Sequence, residues 1–234
     1  MSSTTVPHAH GDAHGAHGHE GQDPHFQHHF TTMEQQFDTA KIGMWLFLVT
    51  EILLFGGLFV GFGMMQARYA KEFIEAHEHL QRPLGALNTV VLLISSWTMV
   101  MAVNAARNNK KDRCVLFLGI TILCAFTFLG VKYFEYSHKY EEGLLPFHWY
   151  SHTPHDRIQG THGYATFFSF YFMMTGLHGI HIIGGIGSLF WIMLRAKKGE
   201  FSNAYYTPVD LVGLYWHIVD LIWIYLFPLY YLIS

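Results

Sequence analysis

The stretch whose reading decides the fold runs from Tyr164 to Leu194, YATFFSFYFMMTGLHGIHIIGGIGSLFWIML, and it holds no Asp, Glu, Lys or Arg. As an α-helix it would reach roughly 46 Å, against a hydrocarbon core of about 30 Å, so it should tilt or project beyond a bilayer. Backbone polar groups in lipid have no water to bond, so a helix is the form such a run takes. Two histidines, His178 and His181, interrupt the apolar run. Polar groups at that depth are costly and ask for a partner or a ligand.

Working outward, four more runs reach or approach membrane length. Together the expected spans are about 42–65, 86–106, 114–134, 163–195 and 210–232. Across all 234 residues, 51% are hydrophobic, 17% aromatic and only 13% charged. Soluble domains carry about a quarter charged residues. The expected fold is therefore all-α, a polytopic membrane protein built as a five-helix transmembrane bundle over residues 41–234. A net charge of −3 offers no case for binding nucleic acid. Cys114 and Cys124 lie ten residues apart in one apolar run, about 15 Å along a helix, so they read as packing residues rather than a disulfide. No CxxCH or paired CxxC motif appears.

Residues 1–40 are a different material. PHAHGDAHGAHGHEGQDPHFQHH is rich in His, Gly and Ala and cannot bury a core, so a disordered or loosely ordered tail is expected. No apolar segment of signal-peptide type precedes Ile42. His8, His10, His14, His17 and His19 could hold zinc, copper or nickel weakly; a solvated tail that meets metal only incidentally is the simpler reading. Basic residues concentrate on one side of the five spans, above all in RNNKKDR at 107–113 and at Arg195, Lys197 and Lys198. By the positive-inside rule the N-terminus is then cytoplasmic and the C-terminus outside. Tyr133, Tyr136, Trp149 and Tyr150 suit the opposite interfacial belt.

Five polar residues inside the spans carry the chemistry. Glu51 sits in the middle of WLFLVTEILLFGGLFVGF, where a carboxyl costs about 2.5–3.5 kcal/mol and should face protein or water. It could relay protons, or it could bond a histidine. His178 and His181 share a helical face at i, i+3, and His217 with Asp220 repeats that spacing on the last span. Asp220 could orient His217. His181 and His217 could also ligate a haem from facing helices, although buried histidines more often bond each other, a carboxylate or a carbonyl. Arg195 closes the fourth span and reads as a positive-inside anchor or a partner for a lipid phosphate. Lys132 and Glu135, at i, i+3, read as a local ion pair of little weight near the outer interface. Gly57 with Gly61, and Gly184 with Ser188, are small-xxx-small pairs that let helices approach. There is no internal repeat and no matched pair of broken helices, which weakens a transporter reading.

In that order and spacing, WLFLVTEILLFGGLF, TGLHGIHIIGG and LYWHIVDLIWIYLFPLYY resemble subunit III of the haem–copper oxidases, over roughly residues 38–234. The family's long form has seven transmembrane helices; this chain has no room for the first two and is similar to the five-helix bacterial form.

The resemblance implies a non-catalytic subunit with no cofactor of its own, in a bacterial inner membrane. Haem and copper would belong to subunit I, and subunit II is a candidate for further copper. Subunit I would be the main partner, with subunit II and small subunits beside it. The implied role is to steady subunit I, hold phospholipid and sustain proton uptake, with cytochrome c as the electron donor to the complex. A quinol oxidase subunit III is the nearest alternative; an integral haem-b carrier and a metal transporter are more distant ones. Glu51, His178, His181, His217, Asp220 and Arg195 match the family's motif positions. The resemblance moves Arg195 toward lipid phosphate and the histidines away from haem; because a buried acid needs a partner, one of His178 and His181 is expected to bond Glu51.

Overall fold

The computed structural model describes residue 30 and residues 32–77, 80–141, 161–203 and 205–232. The His-rich tail, Trp149 and Tyr150 lie outside them. The described residues form six helices, α1 (Met33–Arg68), α2 (Ala70–His77), α3 (Arg82–Arg107), α4 (Lys111–Glu141), α5 (Thr161–Lys198) and α6 (Thr207–Tyr231), and no strand. Five of the six, all but α2, are long and apolar enough to cross a membrane. Each exceeds its apolar run because polar turns continue the helix past the hydrocarbon. α1 starts at Met33, well before Lys41, where the Thr32 hydroxyl accepts a 3.1 Å bond from the Gln35 amide. Pro83 and Pro208 open α3 and α6, positions where a missing N–H costs nothing.

Short connections make neighbours antiparallel. The α3–α4 turn closes in three residues, with Asn109 at φ 57°, a left-handed conformation that asparagine tolerates. Asn109 Oδ1 accepts a 2.8 Å bond from the Asn203 amide, which ties this turn to the α5–α6 connection. The basic residues of both connections thus share one end of the bundle. At the other end lies α2, a short helix not foreseen from the sequence. It buries Phe73, Ala76 and His77, and the Arg82 guanidinium donates to His77 Nε2 at 2.8 Å.

α3 packs broadly on α4, and α6 lies against α3, α5 and α1. Two indoles bind α6 to α3: Trp216 Nε1 donates to Ser95 Oγ at 2.8 Å, and Trp223 Nε1 donates to Thr89 Oγ1 at 3.1 Å. Such bonds matter in a bundle where lipid and protein interior are equally apolar. A Cβ added at Gly185 would lie 2.5 Å from Trp216, so this glycine, rather than Gly184, is where α5 must stay bare for α6. Of the Gly57/Gly61 pair, only Gly61 faces a neighbour, with Phe170 at 3.4 Å from an added Cβ. α1 is the least enclosed of the long helices. Much of its apolar surface, including Trp45, Leu46, Leu53 and Val60, faces outward.

Candidate functional site

α1 carries Glu51, α5 carries His178 and His181, and α6 carries His217 and Asp220. His181 Nδ1 lies 2.8 Å from the Leu177 carbonyl, which can only accept, so Nδ1 bears a proton. Its Nε2 lies 2.8 Å from Glu51 Oε2, at ion-pair distance although off the line of a good hydrogen bond. With Nδ1 already protonated, that contact requires one further proton between ring and carboxyl. The pair is either imidazolium with carboxylate or imidazole with carboxylic acid. Both side chains are partly enclosed, at 15% and 13% exposure. Phe55 packs edge-on against the imidazole, and the Tyr215 hydroxyl donates to the His181 carbonyl at 2.9 Å. Of the two histidines, His181 therefore stands against Glu51.

His178 has gone elsewhere. It is fully buried, lies over Trp223 with ring centroids 5.3 Å apart, and meets the edge of Phe128 at 5.4 Å. Neither ring nitrogen has a hydrogen-bond partner among the described residues. His217 and Asp220 do not make the hydrogen bond that their spacing allowed. His217 Nδ1 shares a 2.8 Å hydrogen bond with Ser96 Oγ on α3, and both oxygens of the buried Asp220 carboxyl lack a partner among the described residues. Side chains three apart on one helix leave the axis side by side instead of converging. Here the Ser96 hydroxyl, bonded to His217, also interacts electrostatically with Asp220, as does Cys124 of α4. No group of three or more His, Cys, Asp or Glu that could hold a metal occurs among the described residues.

Arg195 Nε donates to Glu200 at 2.6 Å, and the guanidinium lies over Trp191 at 4.9 Å from the ring centroid. The arginine also lines a groove of about 400 Å³ between the start of α1, the end of α5 and the start of α6, walled by Phe37, Met44, Trp191 and Leu211.

The most thoroughly bonded polar group was undervalued by the sequence reading. Lys132 and Glu135 are not an exposed local pair; both are buried. Lys132 Nζ donates to Glu135 Oε2 at 2.9 Å, to Tyr171 at 3.2 Å and to Tyr231 at 3.1 Å. The two phenols in turn donate to Glu135 Oε1, at 2.9 and 2.5 Å. The ammonium also sits 4.7 Å from the Trp223 ring centroid. This knot joins α4, α5 and α6. The one sequence signal for it was the pair of charges at helical spacing inside an otherwise apolar helix, with tyrosines on two other spans able to meet them.

Known proteins resemble this chain over most of its length. The family pattern described as Cytochrome c oxidase subunit III matches residues 22–142 and 147–234. The chain is 31% identical over 205 residues to Quinol oxidase subunit 3 of Bacillus spizizenii, covering 86% of this chain and 92% of that one. It is 30% identical over 234 residues to Cytochrome c oxidase subunit 3 of Synechocystis sp., covering 100% of this chain and 84% of the relative.

Proposed function

The chain belongs to the cytochrome c oxidase subunit III family, and from that premise we propose that it serves a cytochrome c-driven, proton-pumping oxidase of a bacterial inner membrane. Its place as subunit III of a haem–copper terminal oxidase follows from the family. The electron donor is carried by one observation: the match to the cytochrome c oxidase subunit covers the whole chain, while the match to the Bacillus quinol oxidase subunit covers 86% of it. In this reading subunit I holds haem and copper, subunit II receives electrons from cytochrome c, and this chain packs against subunit I without a redox centre of its own.

Two tasks fit its geometry. The groove beside Arg195 offers a phospholipid an apolar wall for its chains and a guanidinium for its phosphate, a pairing that arginine makes bidentately. The Glu51–His181 pair braces α1, the least enclosed long helix, against α5 near mid-membrane. The N-terminus is cytoplasmic in this proposal because the basic connections share its end of the bundle.

The test is oxygen consumption by the complex purified through a tag on this chain, supplied in parallel with reduced cytochrome c and with a quinol. Turnover on cytochrome c, with haem bands that leave when the partner subunits are stripped, is the expected result. Turnover on quinol alone would replace the donor assignment and leave the subunit assignment standing. Haem retained by the isolated chain would overturn its non-catalytic role.

A further inference from the structure

Between α3 and α6, on the bundle's basic end, lies a second groove of about 410 Å³. It is far larger than the roughly 10–15 Å³ that a single water requires. Its composition changes with depth. Arg107 and Asp210 stand at the mouth, with Lys41 of α1 3.5 Å from the Asp210 carboxylate and the Tyr206 ring under the Arg107 guanidinium at 5.1 Å. Asn104 lies one turn further in, and His217 lines the inner end. The lining residues recur at i, i+3, i+4 and i+7 on both helices, so the groove follows matching faces of α3 and α6. Gly213 keeps the helices close beneath it, since an added Cβ would lie 3.2 Å from Val103 Cγ2.

What lies beyond the inner end gives the groove its use. His217 Nδ1 is bonded to Ser96, and its Nε2 makes no hydrogen bond to a described residue. One turn beyond His217 on α6 is Asp220, 3% exposed, with both carboxyl oxygens unpartnered among the described residues. A buried carboxyl without a partner is costly and points to an occupant such as water or a mobile proton. The Ser96 hydroxyl of α3 and Cys124 of α4 interact electrostatically with this carboxyl.

We propose that the α3–α6 groove is a water-filled inlet through which His217 and Ser96 give the enclosed Asp220 carboxyl proton exchange with the aqueous phase at the basic end. The transfer balances atom by atom. When the carboxyl is ionised, a hydronium ion in the groove gives its proton to His217 Nε2 and becomes water, the Nδ1 proton passes to Ser96 Oγ, and the hydroxyl's own proton goes to an Asp220 oxygen as the serine rotates toward it, giving the carboxylic acid. The reverse steps, with the hydroxyl turning between them, return a proton to groove water and complete the exchange. Hydroxyl and imidazole each donate and accept, which a relay requires. The inlet is a property of this chain and does not depend on which donor feeds the complex.

The experiment is infrared-monitored exchange of the intact complex from H2O into D2O. The Asp220 carboxyl C=O band is assigned as the one missing from Asp220→Asn. The band should shift at once in the unaltered complex, and about tenfold or more slowly in Ser96→Ala and in Leu214→Trp, which plugs the groove. An unchanged rate in both variants, no exchange in the unaltered complex, or no band lost in Asp220→Asn would each overturn the inlet.

A second measurement avoids a bulky plug. In a Cys114→Ala, Cys124→Ala background, Leu214→Cys should react with a charged thiol reagent applied from the basic side. Leu221→Cys, on the outward face of α6, should not. Equal labelling of the two positions, or none at Leu214→Cys, would also sink the proposal.

Discussion

Lys132 and Asp220 are both ionisable side chains sealed inside the same bundle, yet their surroundings differ sharply. Lys132 has three acceptors for its three protons, and its counter-ion Glu135 takes three bonds in return. Asp220 and His178 have no hydrogen-bond partner among the described residues. The tyrosine knot has the bonding of a structural fastening, where desolvation is offset only because every donor and acceptor is used. The histidine–acid band has the bonding of a place left open. Glu51 and His181 stand between these extremes, in contact but sharing a single proton.

The contrast breaks most visibly at the knot. Glu135→Gln or Lys132→Met alone leaves a buried charge without its partner and should cost about 3–5 kcal/mol. The loss would be read as earlier thermal release of this subunit from the purified complex. Lys132→Met with Glu135→Leu should recover most of it. A double variant no better than the singles would mean that the tyrosines need the charges for something besides neutrality.

A smaller effect sharpens the middle case. Glu51→Gln and His181→Ala should couple by about 1–3 kcal/mol in a double-mutant cycle read by the same thermal release. Glu51→Gln and His178→Ala should add to within about 0.5 kcal/mol. Coupling through His178 in place of His181 would reverse the assignment. The smallest change is expected at Asp220→Asn, below about 1 kcal/mol, because the carboxyl makes no hydrogen bond to a described residue that the change would remove. A loss as large as that of Glu135→Gln would erase the contrast.

The five spans were legible because hydropathy and length decide whether a helix can cross lipid, and neither depends on tertiary contacts. That Glu51 needed a partner was legible for the same reason. The choice of His181 over His178 was not, since both lie on one helical face and only the placement of α1 separates them. Whether His217 and Asp220 would bond each other was not legible either, because spacing along one helix says little about which neighbours a side chain reaches. The knot was hidden more deeply. Tyr171 and Tyr231 lie 36 and 96 residues from Glu135, and in isolation each reads as an ordinary membrane tyrosine.

The knot also has a consequence for how the chain is made. Its parts arrive in order: Lys132 and Glu135 with α4, Tyr171 with α5, and Tyr231 in the last turn of α6, the final helix among those described. A chain stalled before α6 therefore holds a lysine and a glutamate in the bilayer with an unfinished shell around them. A buried charge whose partners are incomplete is costly to keep in place. Completing the helix bundle and quieting that charge are one event, so the same contacts that hold α4 to α6 distinguish a finished polypeptide from an interrupted one.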